Sequence, residues 1–148
     1  GNIYTSAEQA NRFFEMLLNG GNYQGQQILS PQTVFRATLP TSKTTIDHSL
    51  LVPMCYALGP MLGSNPVGIF GPMTGQAFGH LGFSNVLCWA DPERDISVSL
   101  LTTGKSVIGT HLTSTAKVLY QISRQCPKII KDQRRSLFGT HHLETDPV

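Results

Sequence analysis

The sequence has few charged residues, little net charge and no long apolar run, and each shortage excludes a class of protein. Charged residues make up 14% of the 148 positions and hydrophobic residues 40%, a balance typical of a packed domain rather than a disordered chain. The formal net charge of +2 is too small to indicate a nucleic-acid partner. No apolar run approaches the roughly 18 residues of a membrane-spanning helix, so no membrane span is expected.

Cysteines are also few. Cys55, Cys88 and Cys126 form no Cys-x-x-Cys pair, and their odd count slightly favours a reducing compartment such as the cytoplasm. Cys88 lies in an apolar run, where we expect a small core residue rather than a nucleophile. Because the chain opens on Gly1 rather than Met, the lack of a leader pattern there decides nothing about compartment.

Helix signals are present in the first third of the chain. Thr5 and Glu8 have the spacing of a capping box, and apolar residues then recur at helical spacing as far as Asn19. Ser30-Pro31 predicts a second, short helix that ends before Pro40.

The middle of the chain carries weaker signals. Residues 41–51 are predicted as a loop, and residues 52–62 have strand-like content that two prolines restrict. Seven of the 14 glycines lie between Gly59 and Gly82. Residues 63–75 are therefore predicted as a long, flexible excursion between two strands, which is either a functional loop or simply a hairpin connection exposed to solvent.

A last helix is predicted from about Thr113 to Gln125, followed by a flexible tail at residues 128–148. The helix begins with a literal Ser-x-x-Lys at Ser114 and Lys117, but Ser114 is also a natural N-cap residue. The tail holds three residues that could ligate a metal, which are His141, His142 and Glu144. Their place in a tail argues against a site, and no metal or other cofactor is expected.

The most informative stretch begins at Gly79-His80-Leu81-Gly82. An apolar run at residues 86–90, a turn opened by Asp91 and an alternating run at residues 96–100 follow it. This order predicts strand, strand, turn, strand, with His80 near the edge of a sheet. Leu81 would point to the opposite face from His80 and Gly82, into the core.

The layout resembles the third catalytic motif of the penicillin-recognising serine hydrolases, which include the serine β-lactamases, the DD-peptidases and the β-lactamase-like esterases. In that family the motif is Lys-Thr-Gly, or a His-x-Gly or Trp-x-Gly variant, on the strand that walls the active site. Residues 3–13, 17–21 and 28–34 are also similar to family segments in the expected order. The resemblance therefore spans about residues 1–125.

The resemblance implies an α/β fold in which an antiparallel sheet of about three strands is flanked by helices. The fold would be partial, because two N-terminal strands of the family's domain would be missing. Residues 1–127 would form the C-terminal part of the hydrolase domain, and the missing N-terminal portion would be this chain's partner.

The resemblance also implies roles for three residues in an acyl-enzyme reaction on a small-molecule ester or amide. Phe83 would donate its backbone N–H to the oxyanion, and Gly82 would leave room for the substrate to approach the strand. His80 would take the family's Lys, His or Trp position. An imidazole is mostly neutral at pH 7, which favours an esterase or peptidase-like activity over true β-lactamase activity.

The departures from the family pattern concern the nucleophile. Its Ser-x-x-Lys and Tyr-x-Asn motifs should precede the matched residues, yet the sequence contains no Tyr-x-Asn. Ser114 and Lys117 follow the third motif instead of preceding it. We therefore expect a C-terminal fragment of a serine hydrolase that is inactive by itself. The alternative is a non-catalytic homologue that binds a ligand or partner through the same groove.

Overall fold

In a computed structural model of the chain, residues 4–82, 84, 86–102 and 109–129 are described. This part of the chain contains three helices and ten strands, many of them short. The helices are α1 (Ala7–Leu18), α2 (Pro31–Thr38) and α3 (Leu112–Gln125). The strands are β1 (Asn22–Tyr23), β2 (Gln26–Gln27), β3 (Thr45–Asp47), β4 (Val52–Tyr56), β5 (Met61–Leu62), β6 (Val67–Gly68), β7 (Gly71–Pro72), β8 (Phe78–Gly82), β9 (Val86–Asp91) and β10 (Ile96–Leu100).

Six strands form one antiparallel sheet in the order β10-β9-β8-β5-β4-β3, and two further pairs, β1–β2 and β6–β7, form small ribbons. Helix α1 contacts β9 and β10, and α3 contacts β7. The predicted antiparallel sheet with flanking helices is confirmed, but the sheet has six strands where about three were expected. The difference includes β3, which lies in the segment predicted as a loop.

The buried cluster around Trp89 lies on one face of this sheet. Gly79, Trp89 and Val98 are directly opposite one another on β8, β9 and β10, so they share a face. Trp89, in the apolar run at residues 86–90, is 1% exposed and stacks on Phe70 with ring centroids 5.6 Å apart. The buried members of this cluster are Met54, Met61, Phe70, Ala77, Leu87, Trp89 and Leu119.

The glycine-rich excursion is partly buried, contrary to the alternative of a hairpin connection exposed to solvent. It connects β5 to β8 as expected, but it contains the β6–β7 ribbon, and both Phe70 and Thr74 are 1% exposed. Thr74 donates its hydroxyl to the carbonyl of Gly71 at 2.9 Å, which satisfies the buried oxygen. The excursion is therefore a layer of the core rather than a loop in solvent.

Two helix starts differ from the prediction by a few residues. Ser6, not Thr5, is the N-cap of α1, and its capping-box partner is Gln9 rather than Glu8. The N-cap of α3 is His111, so Ser114 lies inside the helix and the N-cap role predicted for it is wrong. The predicted end of α1 at Asn19 is confirmed. None of the described helices is long and apolar enough to cross a membrane.

The β9–β10 turn is held by a buried ion pair. Asp91 is 0% exposed and accepts from Nη1 of Arg94 at 2.7 Å. The same guanidinium donates to the backbone carbonyl of Met73 at 2.9 Å and to that of Pro72 at 3.3 Å. Arg94 thereby ties the turn to the segment after β7.

The residues that follow α3 also contact this turn. Nζ of Lys128 lies 2.5 Å from Oε2 of Glu93, and the Ile129 N–H donates to the Glu93 carbonyl at 2.8 Å. The first two residues of the predicted tail therefore pack against the domain. The rest of that tail, with His141, His142 and Glu144, lies outside the described residues.

Candidate active site

The stretch from His80 to Gly82 has a neighbouring strand on one side only. Strand β8 pairs with β9 along its whole length, but it pairs with β5 only at Phe78 and Gly79. The residue before Met61 on β5 is Pro60, which has no N–H to extend the ladder. Its carbonyl accepts from the Ala57 N–H at 2.9 Å, which closes the turn back to β4. One edge of the motif is thus left without a paired strand in the described part of the chain.

The open edge carries one backbone donor whose direction is visible. The Leu81 N–H donates to the thioether sulfur of Met61 at 3.4 Å. It therefore points away from β9 and towards the β5 side. Because N–H groups alternate between the two edges of a strand, the donors of this edge come from every second residue of β8.

The side chains of the motif alternate as predicted. His80 is exposed, whereas Leu81 is half-buried and packs against the core cluster. His80 lies directly opposite Cys88, whose side chain is buried on the face away from Trp89, as expected for a small core residue. The imidazole is thus exposed to solvent on the part of β8 that has an open edge.

The two glycines of the motif serve different needs. A Cβ on Gly79 would lie 2.2 Å from the Cys88 carbonyl oxygen and 2.4 Å from the Trp89 Cβ, so the packing requires glycine there. Among the described residues, a Cβ on Gly82 would meet only Val86, at 3.5 Å and 3.6 Å, which is ordinary contact. The described packing therefore leaves the glycine at position 82 unexplained.

Other predicted candidates are not brought to this edge. Phe83 lies outside the described residues, so its N–H as an oxyanion donor stays a prediction. Ser114 and Lys117 are both exposed on α3, whereas Leu119 of the same helix packs in the core cluster. Asp91 lies at the far end of β9 from Gly82, paired with Arg94. Among the described residues, no three His, Cys, Asp or Glu side chains are placed to hold a metal ion.

A polar pair on β3 and β4 was not predicted. The Tyr56 hydroxyl donates to Oδ2 of Asp47 at 2.5 Å, and this hydrogen bond raises the pKa of Tyr56 to about 12. The same bond, with the N–H groups of Leu50 and Ser49, lowers the pKa of the Asp47 carboxyl. Asp47 followed by Ser49 has the local pattern of an Asx turn, but only the pairing of β3 with β4 brings Tyr56 to it.

The sequence model of the β-lactamase family matches residues 1–119. The chain belongs to the β-lactamase family. One relative, named esterase/beta-lactamase LipL, from Mycobacterium tuberculosis, is 30% identical over 100 residues. That match covers 68% of this chain and 22% of the relative, so the chain spans less than a quarter of the relative's length.

Two solved structures share the fold of this family member. A family VIII carboxylesterase matches 80% of this chain and 31% of its own length, with a TM-score of 0.62 and 19% identity. A penicillin-binding protein homologue from Caulobacter crescentus matches 69% of this chain and 26% of its own, with a TM-score of 0.60 and 24% identity. The sheet and helices described above are thus part of a β-lactamase/transpeptidase-type domain.

Proposed function

We propose that this chain forms one wall of an acyl-transfer site that hydrolyses a small-molecule ester or amide through an acyl-enzyme. Strand β8 is the wall, with His80 and Gly82 on it and the backbone N–H of Phe83 as one oxyanion donor. The activity is esterase-like or peptidase-like rather than that of a true β-lactamase.

The observation that carries this proposal is Gly82. Gly79 is required by packing against Trp89, but a Cβ at Gly82 would make only ordinary contacts. A glycine that the described packing does not explain, beside an exposed His80 at an edge without a paired strand in the described residues, fits a place where a substrate approaches the backbone closely.

The proposed oxyanion site is supported by the direction of the Leu81 N–H, two residues before Phe83. The Leu81 N–H points to the open edge of β8, and an extended strand directs every second N–H to the same edge. A donor of β8 at the open edge supports an oxyanion site there, and the assignment of Phe83 itself follows from the family resemblance, in which the residue after the motif's glycine supplies the N–H. A fixed N–H aimed at a developing oxyanion contributes about 10²–10³ in rate.

The nucleophile would come from the part of such a domain that this chain does not match. Its relatives are longer than this chain, because the matched residues make up only 22% of one relative and 31% of another. Ser114 and Lys117 are unsuited because they follow the third motif along the chain, whereas the family's Ser-x-x-Lys precedes it. The preference for an ester has two grounds. His80 stands at the family's Lys, His or Trp position, and two relatives are named as esterases.

The test uses the intact protein expressed from its full coding sequence. A fluorophosphonate probe should label one serine upstream of this segment, and a nitrophenyl ester should be turned over. His80→Ala should lower turnover with an unchanged melting temperature, and Gly82→Val should nearly abolish turnover by crowding the acyl site.

Gly79→Ala is the contrasting variant, because its Cβ would clash with β9 and should lower the melting temperature. Turnover by Gly82→Val and His80→Ala at wild-type rates would remove β8 from the active site. An intact protein with no reactive serine would instead support the non-catalytic binding alternative.

A further inference from the structure

The strands that pair with β8 change at Gly79. Up to that residue, β5 holds the strand from one side and β9 from the other. From His80 onwards β9 remains, and the pairing with β5 has ended. The half of the strand that carries His80 and Gly82 therefore depends on a different contact on its open side.

Met61 provides that contact. Its backbone pairs with Gly79, while its side-chain sulfur accepts the Leu81 N–H at 3.4 Å. Met61 is 8% exposed and belongs to the buried cluster with Trp89 and Leu87. A residue fixed in the core thus reaches the open edge and satisfies the donor that lies between His80 and Gly82.

A sulfur acceptor at this place has a specific consequence. A backbone carbonyl on β5 would have satisfied the Leu81 N–H only by extending the strand ladder, which would occupy the edge. The thioether satisfies the same donor from the side and leaves the edge without a paired strand. A thioether is a weak acceptor, so the contact holds the N–H without adding another polar group.

We propose that Met61 is a positioning residue of the candidate site, which acts through Leu81 to fix the backbone on which His80 and Gly82 stand. The proposal rests on the proposed function, because a position matters for rate only where a reaction occurs. It assigns Met61 no contact with the substrate. Loss of the sulfur should let the 80–82 segment relax, and misplacement of about 1 Å can cost roughly a hundredfold in rate.

The test compares three variants of the intact protein. Met61→Leu keeps the volume and removes the acceptor, and Met61→Gln restores an acceptor. Met54→Leu is the matched control, because Met54 is a buried methionine of the same cluster on β4. We measure kcat and KM for the nitrophenyl ester, the melting temperature, and amide hydrogen exchange at Leu81 and Gly79.

The proposal expects Met61→Leu and Met54→Leu to lower the melting temperature alike, while only Met61→Leu lowers kcat, by roughly ten- to a hundredfold with KM nearly unchanged. The Leu81 amide hydrogen should exchange about fivefold faster in Met61→Leu, while exchange at Gly79 stays unchanged. Met61→Gln should recover part of kcat and part of the protection at Leu81. Equal losses of kcat in the two leucine variants, or unchanged exchange at Leu81, would overturn the role. If the wild-type protein turns over no ester, the proposed function fails, and the exchange measurement alone decides the contact.

Discussion

Neutralising the buried carboxylate of Asp91 is the sharpest test of the fold. Asp91→Asn changes one atom, keeps the shape and keeps an oxygen for the Glu93 N–H, which donates to Asp91 at 2.9 Å. It leaves the charge of Arg94 in place. Both side chains are almost fully removed from water, at 5% exposed for Arg94 and 0% for Asp91.

The magnitude follows from that burial. An uncompensated charge left by removal of a buried partner costs about 3–5 kcal/mol. Arg94 keeps its bonds to the Met73 and Pro72 carbonyls, so the loss should lie near the lower end, at about 3 kcal/mol. Single domains have unfolding free energies of about 5–15 kcal/mol, so this change alone removes a large share.

The assay is urea unfolding of the intact protein followed by Trp89 fluorescence, since Trp89 is the single tryptophan of this chain and lies on the strand that ends at Asp91. In an intact protein with further tryptophans, circular dichroism replaces it. Arg94→Met should cost more than Asp91→Asn, because it also frees two backbone carbonyls. A loss below about 1 kcal/mol for Asp91→Asn would refute the assignment of a buried, energetically important pair.

Three further outcomes are expected. Gly79→Ala should destabilise the protein by about 3 kcal/mol, because its Cβ would meet the Cys88 carbonyl oxygen at 2.2 Å; thermal melts measure this. The raised pKa of Tyr56, about 12, contributes stability that is full below about pH 10 and is lost as pH rises to about 12. Wild type should therefore lose stability over that window more steeply than Tyr56→Phe in urea unfolding. This chain by itself should neither turn over a nitrophenyl ester nor be labelled by a fluorophosphonate; labelling abolished by Ser114→Ala would contradict the exclusion of that serine.

Local sequence patterns predicted the secondary structure that depends on residues close together in the chain. The apolar run at residues 86–90, the turn opened by Asp91 and the alternation at residues 96–100 predicted adjacent strands after the His80 segment, because such patterns depend only on neighbours along the chain. Contacts between distant residues were not predictable in this way. Arg94 reaches back to Pro72 and Met73, and no pattern near Arg94 indicates those carbonyls.

Ambiguous residue types explain the smaller errors. Thr5 and Ser6 can both cap a helix, and both Glu8 and Gln9 can complete a capping box. The sequence alone therefore could not decide which of the two pairs begins α1. The buried Phe70 is surrounded by glycine and proline, which masked its place in the core. At the candidate site, the sequence indicated His80 and Gly82. The difference in packing between Gly82 and Gly79 could be seen only in the three-dimensional structure.

Strand β10 ends the sheet, and no strand covers its outer edge in the described part of the chain. Ile96, Val98 and Leu100 alternate with two serines there, without a charge or a proline to discourage pairing. Such an edge is a template for a strand from another molecule. Expressed by itself, this chain should therefore show turbidity that rises with protein concentration and that added salt does not relieve. Purification at low concentration, or a single lysine placed at Ser97, should keep it in solution.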